Sequence, residues 1–302
     1  MKKIIKIVLV ASFFLINPMI QANNPSNSSL PQPKVLVWDL GLTLVKQAPV
    51  YRAFQVGLVP GLLLALQYGS RVGEVMRTSL YKVLDQYGDP EQSTDQCSQW
   101  TPLDSEGERP LPILMEQWFS GNKTSDQIRP LAAECVASYP HYEGYGHQWL
   151  MGNTADWMFT PERYAASWKP IDAAVALLED CAVAKDMFGN PLSIQGIVSN
   201  WDKATYIHVR KDSRFDCIFS HFEPKNIFIS AEWGRSKPYL YKFFLDQTGY
   251  KPSDCIVIDD QIDNCKFARS LGMIAIHVKN GDYEAVRQEL IKYGVLINNT
   301  PN

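Results

Sequence analysis

Hydrophobic and polar positions follow two different rhythms along the chain, and the change of rhythm divides it. Residues 34 to 39 form a short β-branched and aromatic run that ends on a carboxylate, Asp39, and read as a buried strand. Residues 49 to 190 carry helical periodicity instead, in "YRAFQVGLVPGLLLALQYG", "RVGEVMRTSLYKVLDQYG", "LPILMEQWF" and "PIDAAVALLEDCAVAKD", with a polar loop at 88–110. From residue 194 strands and helices alternate. "IQGIVSN", "CIFSHF", "NIFIS", "CIVIDD" and "MIAIHV" read as strands, and "DKATYIHVRKD", "PYLYKFFLDQTG", "DNCKFARSLG" and "DYEAVRQELIKYG" as helices. This alternation predicts an α/β fold in which a mostly parallel sheet is wrapped by helices on both faces. The first strand belongs with that sheet, so the core comprises 34–48 and 191–302. The block 49–190 is then a helical cap inserted at the carboxyl end of the sheet, where ligands bind in open α/β folds.

The first 22 residues stand apart. Lys2, Lys3 and Lys6 precede an apolar run from Ile7 to Ile16, a break at Asn17-Pro18, and Ala22. This pattern predicts a secretory signal peptide cleaved after Ala22, because the run is short for a hydrocarbon core. Residues 23–33, rich in Pro, Ser and Asn, form a polar linker. The mature protein is therefore expected in a periplasm or outside the cell, with no stable membrane span.

Composition adds limits rather than a function. A chain of 302 residues with 46% hydrophobic residues has room for one domain with a large insertion. A formal net charge of −3, with no Lys/Arg-rich run, gives no electrostatic footprint for nucleic acid. Six cysteines in an exported chain permit disulfides, Cys97–Cys135 among them, but their spacing settles no pairing; Cys217, Cys255 and Cys265 read as free thiols.

Candidate chemistry gathers at the strand ends. Asp39 follows "VLVW", Ser199 and Asn200 follow "IQGIV", Asp259 and Asp260 follow "CIVI", and Lys237 precedes the helix after "ISAEWGRS". Any one of these residues reads equally well as a helix cap. Four in order, each after its own apolar run, place a nucleophile, amide and hydroxyl donors, a lysine and paired acids at one edge of the sheet.

The motifs "DLGLT" (39–43), "SN" (199–200), "SKP" (236–238) and "IDDQIDN" (258–264) resemble those of the haloacid dehalogenase superfamily. "SNWDKATY" and the run from Asp259 to Gly272 resemble its subfamily with a helical cap after the first strand, in the branch of glucose-1-phosphate phosphatase-like proteins. The resemblance implies a Rossmann-like three-layer core and a Mg²⁺-dependent phosphatase acting on a small phosphorylated metabolite. Asp39 would attack phosphorus to give an aspartyl-phosphate that water hydrolyses. Asp39, the main-chain carbonyl of Gly41 and Asp260 would supply oxygens to Mg²⁺, with Asp259 either beside them or as the direct ligand. Ser199, Asn200 and Thr43 would hold the phosphoryl group, Lys237 would balance its charge, and Asn264 would orient Asp260 or Lys237.

One departure bears on mechanism. Phosphatases of this superfamily usually carry an aspartate two residues after the nucleophile as general acid and base, and here that position is Gly41. Losing such a group costs roughly 10²–10⁴-fold on a poor leaving group. The glycine therefore implies an enzyme restricted to good leaving groups, an acid borrowed from the cap, or a degenerate binding protein. If only the acid is missing, Gly41→Asp restores it. A 2-haloacid dehalogenase is the weaker reading, because the crowded acids around Asp39 call for a cation that halide displacement does not need. The aromatic stretch 139–168, with His141 and His147, reads either as a stacking platform with a surrogate acid or as the cap's own core; Trp201 reads as packing or as a pocket wall.

Overall fold

The structure, a computed structural model, describes residues 34–48, 72–87, 111–142, 145–237 and 239–297. The expected signal peptide and linker, the predicted helix at 51–69, the polar loop 88–110, Cys97 and Pro238 lie outside these residues. No helix among the described residues is long and apolar enough to cross a membrane.

Strand β1 (Lys34–Trp38) leads through a tight turn to β2 (Val45–Gln47). Helices α1 (Val72–Leu84), α2 (Ile113–Phe119), α3 (Ser125–Ser138), α4 (Tyr145–Met158) and α5 (Pro161–Ala166) follow, then β3 (Trp168–Pro170) and α6 (Asp172–Val183). The chain continues through β4 (Ser193–Ser199), α7 (Lys203–Lys211), α8 (Asp216–Phe219), β5 (Ile227–Ile229), α9 (Ser230–Trp233) and α10 (Tyr239–Thr248). It ends with β6 (Cys255–Asp259), α11 (Ile262–Ser270), β7 (Ile274–His277) and α12 (Tyr283–Lys292).

Five parallel strands form the main sheet in the order β5-β4-β1-β6-β7. Both faces are covered, which is why its strands read as unbroken apolar runs. Leu36, Trp38, Ile197, Ile256 and Ile258 point to one face, under α6, α7 and α12. Val35, Val37, Val198 and Val257 point to the other, under α10 and α11. The three-layer α/β core expected from the motifs is therefore present. Its central strand, β1, lies between strands reached by opposite crossovers, and the crevice at such a switch point is where ligands bind.

Helices α1 to α5 pack around a separate interior that includes Leu84, Leu114, Trp118, Ile128, Leu150, Trp157 and Phe159. The aromatics of 139–168 largely belong there: Trp118 meets Phe159 edge-on at 4.9 Å, and Trp157 meets Tyr164 at 5.2 Å. His141 is exposed against Tyr139, and His147 is buried against Tyr142. This is the packing reading of the stretch, although Trp168 proves to be an exception.

Three features differ from the sequence reading. "CIFSHF" is helix α8 and a turn rather than a strand; Ile218, Phe219 and Phe222 are buried at a helical spacing that a short apolar run does not reveal. Strand β3, inside the supposedly all-helical block, pairs antiparallel with β2 where the chain passes between core and cap. Helix α6, read as part of the inserted block, lays Ala174, Leu177, Leu178 and Cys181 on the sheet with β4 and α12. Its 3–4 spacing announced an amphipathic helix without saying which core it would join.

Cap and core also meet at α9, where Ser230 Oγ donates to the Phe119 carbonyl. Gly121 lies directly against this helix, and a Cβ there would stand 2.6 Å from the Ala231 oxygen. Cys135, Cys181, Cys217, Cys255 and Cys265 are free thiols among the described residues, and Cys97, the candidate partner of Cys135, lies outside them.

Candidate active site

Every strand-end group singled out in the sequence arrives at the same edge of the sheet. Asp39 follows the last residue of β1, Ser199 ends β4, Asp259 ends β6, and Lys237 comes from the segment after α9. Asp39 Oδ1 accepts from Ser199 Oγ at 2.6 Å and pairs with Lys237 Nζ at 2.8 Å. The same ammonium reaches Asp259 Oδ2 at 2.7 Å. All three charged side chains are nearly or wholly buried, so they stand or fall as a unit.

Asp259 is the saturated member. Its Oδ1 accepts from the Gln261 main chain at 2.8 Å, its Oδ2 from Tyr241 at 2.8 Å, and Asn264 Nδ2 lies 3.1 Å from both oxygens. Asn264 thus orients Asp259, rather than the Asp260 or Lys237 that sequence suggested. Asp260 has fewer partners. Thr43 Oγ1 accepts its main-chain N–H at 3.2 Å and lies 3.5 Å from its Oδ1. Thr43 is fully buried, and its carbonyl accepts from Tyr283, so it links the turn after β1 to the end of β6. Asn200 Oδ1 accepts the Lys237 main-chain N–H at 2.8 Å, which leaves its amide N–H₂ for other partners.

The charges do not balance within the protein. Burial raises the Asp39 carboxyl above the ordinary carboxylate range; Lys237 pulls it down and Asp259 pushes it up. Burial also works against the Asp259 anion, but Lys237 and the Gln261 and Asn264 bonds prevail and hold it below the ordinary value. Desolvation would lower Lys237, yet Asp259 and Asp39 outweigh it and keep the ammonium charged. Asp260 receives little compensation: burial, then repulsion from Asp39 and Asp259, push it up to about 7. Asp39, Asp259 and Asp260 each offer an oxygen, all within 4.8 Å of one another. Three carboxylates and one lysine make a donor set of hard oxygens with negative charge to spare, which fits a divalent cation.

After Asp39 the chain turns sharply, with the Leu44 and Val45 N–H groups both donating to the Leu40 carbonyl. The left-handed residue of this turn is Leu42, at φ 61°, and not Gly41. What stands over Gly41 is Trp201. A Cβ at Gly41 would lie 3.3 Å from Trp201 Nε1 and 4.0 Å from the Trp168 ring. A glycine there reflects the room taken by an indole, and any side chain at this position would require the Trp201 ring to give by a few tenths of an ångström. Tyr241 and Trp168 were not singled out in the sequence. Tyr241 falls four residues after Lys237, the only hint of its place, and Trp168 sits in a strand too short to recognise.

No family model matches the chain. Solved structures with a similar course of chain include a HAD-family enzyme from Bacteroides thetaiotaomicron, at 16% identity over 84% of this chain and 98% of that one, with a TM-score of 0.49. The same enzyme has been crystallised with magnesium and inorganic phosphate. A predicted HAD-like hydrolase from Porphyromonas gingivalis is 15% identical over 86% and 98%, with a TM-score of 0.45. L-2-haloacid dehalogenase from Xanthobacter autotrophicus is 13% identical over 87% and 84%, with a TM-score of 0.43. Likenesses this distant leave the chemistry to be read from this chain's own side chains. Its parallel sheet and the helical block inserted after β1 are the fold that the sequence motifs led us to expect.

Proposed function

We propose that the protein is a Mg²⁺-dependent phosphatase that transfers the phosphoryl group of a small phosphorylated metabolite to Asp39 and then to water. The observation that carries this reading is the buried Ser199–Asp39–Lys237–Asp259 chain with Asp260 alongside. Ser199 and Lys237 fix the rotation of the Asp39 carboxylate, and Lys237 favours its charged form for attack on phosphorus. The amide of Asn200 and the ammonium of Lys237 would meet phosphoryl oxygens, whose charge changes little in kind but much in distribution during transfer. Asp259, held by Tyr241, Asn264 and Gln261, keeps Lys237 in place. Asp39, Asp260 and the Gly41 carbonyl are the groups that would hold Mg²⁺, which when bound neutralises charge on the phosphoryl oxygens.

The test is phosphate release from a panel of phosphorylated metabolites and p-nitrophenyl phosphate, with Mg²⁺ and with EDTA. Release should require the metal and vanish in Asp39→Asn while the circular dichroism spectrum is unchanged. Metal-dependent hydrolysis at the wild-type rate in that variant overturns the aspartyl-phosphate route. Binding of phosphate without turnover supports a degenerate binding protein, and halide release from 2-haloacids without metal supports a dehalogenase. The Lys2, Lys3, Lys6 and Ile7–Ile16 pattern supports export, and exported material should begin at Asn23.

A further inference from the structure

Two tryptophans meet over the position where an acid would be expected. Trp168 comes from β3, at the passage between cap and core, and Trp201 follows the "SN" pair at the end of β4. Their ring centroids are 5.0 Å apart at a tilt of 48°. Trp201 is almost fully buried, and its main chain is fixed: its N–H donates to Ser230 Oγ at 3.0 Å, and its carbonyl accepts from Ala231 at 3.3 Å. The indole edge that faces Gly41 is the one bearing Nε1. Trp168 Nε1 is buried with no hydrogen-bond partner among the described residues. An indole N–H only donates, so it can serve an oxygen acceptor and nothing else. The donor that faces the space over Gly41, two residues from Asp39, is the Trp201 N–H, and it suits an acceptor that arrives with the substrate.

We infer that Trp201 Nε1–H donates to the leaving oxygen of a phosphate ester bound at Asp39, making the contact that an acid at position 41 would otherwise make. The inference rests on the phosphatase reading proposed above. As the Asp39 oxygen–phosphorus bond forms, the bond from phosphorus to the leaving oxygen breaks and its electron pair stays on that oxygen. The indole holds the departing oxyanion without giving up its own proton, and water supplies the proton afterwards. Esters of weakly basic alcohols, phenols and hemiacetals are the substrate class such a site serves best.

The experiment is the rate of Mg²⁺-dependent hydrolysis of p-nitrophenyl phosphate, phenyl phosphate and an alkyl phosphate by wild type, Trp201→Phe and Gly41→Ala. Trp201→Phe should lose roughly 10²-fold on the alkyl ester but less than about threefold on p-nitrophenyl phosphate, because only the basic leaving group depends on the donor. Gly41→Ala, which pushes the ring without deleting its N–H, should show the same dependence with smaller losses. A loss equal across the three esters, or no loss, overturns the assignment, since a packing defect does not distinguish leaving groups. If Trp201→Phe does not fold, the Gly41→Ala series decides by the same criterion. Failure of wild type to hydrolyse any ester overturns the phosphatase reading and the inference with it, whereas wild-type turnover with uniform losses overturns the inference alone.

Discussion

The cap interior and the sheet edge are both well buried, but they are held together by different means. In the cap, Trp118, Phe159, Trp157 and Tyr164 meet through ring edges and faces, and the paired residues lie 7 to 46 positions apart in the chain. At the sheet edge, charged groups meet through hydrogen bonds between segments that lie 160 or 217 residues apart in the chain. A packed aromatic interior tolerates a change of shape if volume is kept. A buried charge cluster does not, because each member is the solvation of the others.

The largest expected effect tests this difference at Lys237. Lys237→Met keeps the volume but removes the cation shared by Asp39 and Asp259. At neutral pH it should cost about 3–5 kcal/mol of stability and about 10²–10³-fold in kcat, read by chemical denaturation and p-nitrophenyl phosphate turnover. Without the ammonium, burial and mutual repulsion raise the Asp39 carboxyl further and lift that of Asp259 from its lowered value. Part of the lost stability should therefore return as pH falls and they protonate. A loss independent of pH would show that Lys237 matters as packing alone.

At the seam between the two regions, Gly121 has φ 76° and lies against α9. Gly121→Ala meets both the left-handed backbone and the Ala231 oxygen, and should destabilise the fold by about 1–3 kcal/mol. Differential scanning calorimetry should show the loss, while Lys237 and its partners are untouched. An unchanged melting temperature would mean that cap and core are not in contact there.

The smallest effect concerns a buried carboxylate outside the cluster. Asp202 caps α7 through the Thr205 N–H at 2.9 Å, but its Oδ2 has no partner among the described residues, and burial raises it to about 6. A folded-state pKa above the ordinary aspartate value of 3.8 means that its contribution is most favourable below that value and is lost as pH rises through 6. A shift of this size sets a ceiling of about 3 kcal/mol, offset in part by the attraction of a carboxylate to the helix N-terminus. Asp202→Asn should then stabilise by about 1 kcal/mol at pH 8 and not at all below pH 4, read as melting temperature against pH. Destabilisation at pH 8 would assign Asp202 to the charged class.

The charged cluster was the more legible of the two regions. Buried parallel strands appear as apolar runs, and a polar residue that ends such a run is already at the ligand-binding edge; this is how Asp39, Ser199, Asp259 and Asp260 were found. What sequence lacked was partner choice. Nothing in "DD" says that Asp259 is saturated by Tyr241, Asn264 and Gln261 while Asp260 is not, because that depends on three segments meeting in space. The reading of Gly41 as an absent acid was incomplete for the same reason: the indole that fills its surroundings comes from position 201. Periodicity also failed where elements were short, as in β3 and α8, and where an amphipathic helix, α6, had two cores to choose from.

The central position of β1 has a kinetic side. Its partners β4 and β6 are the products of chain segments about 160 and 220 residues downstream, so the strand nearest the N-terminus is the middle of the finished sheet. Pairing of this kind has high contact order, and loop closure must precede any reward from the sheet. During synthesis the cap segment is complete while β1, an apolar strand, still has unpaired N–H and C=O groups along both edges. Premature chains are thus exposed to edge-to-edge association, and refolding of the full chain is expected to be slow, with the cap structured before the edge that bears the charged cluster exists.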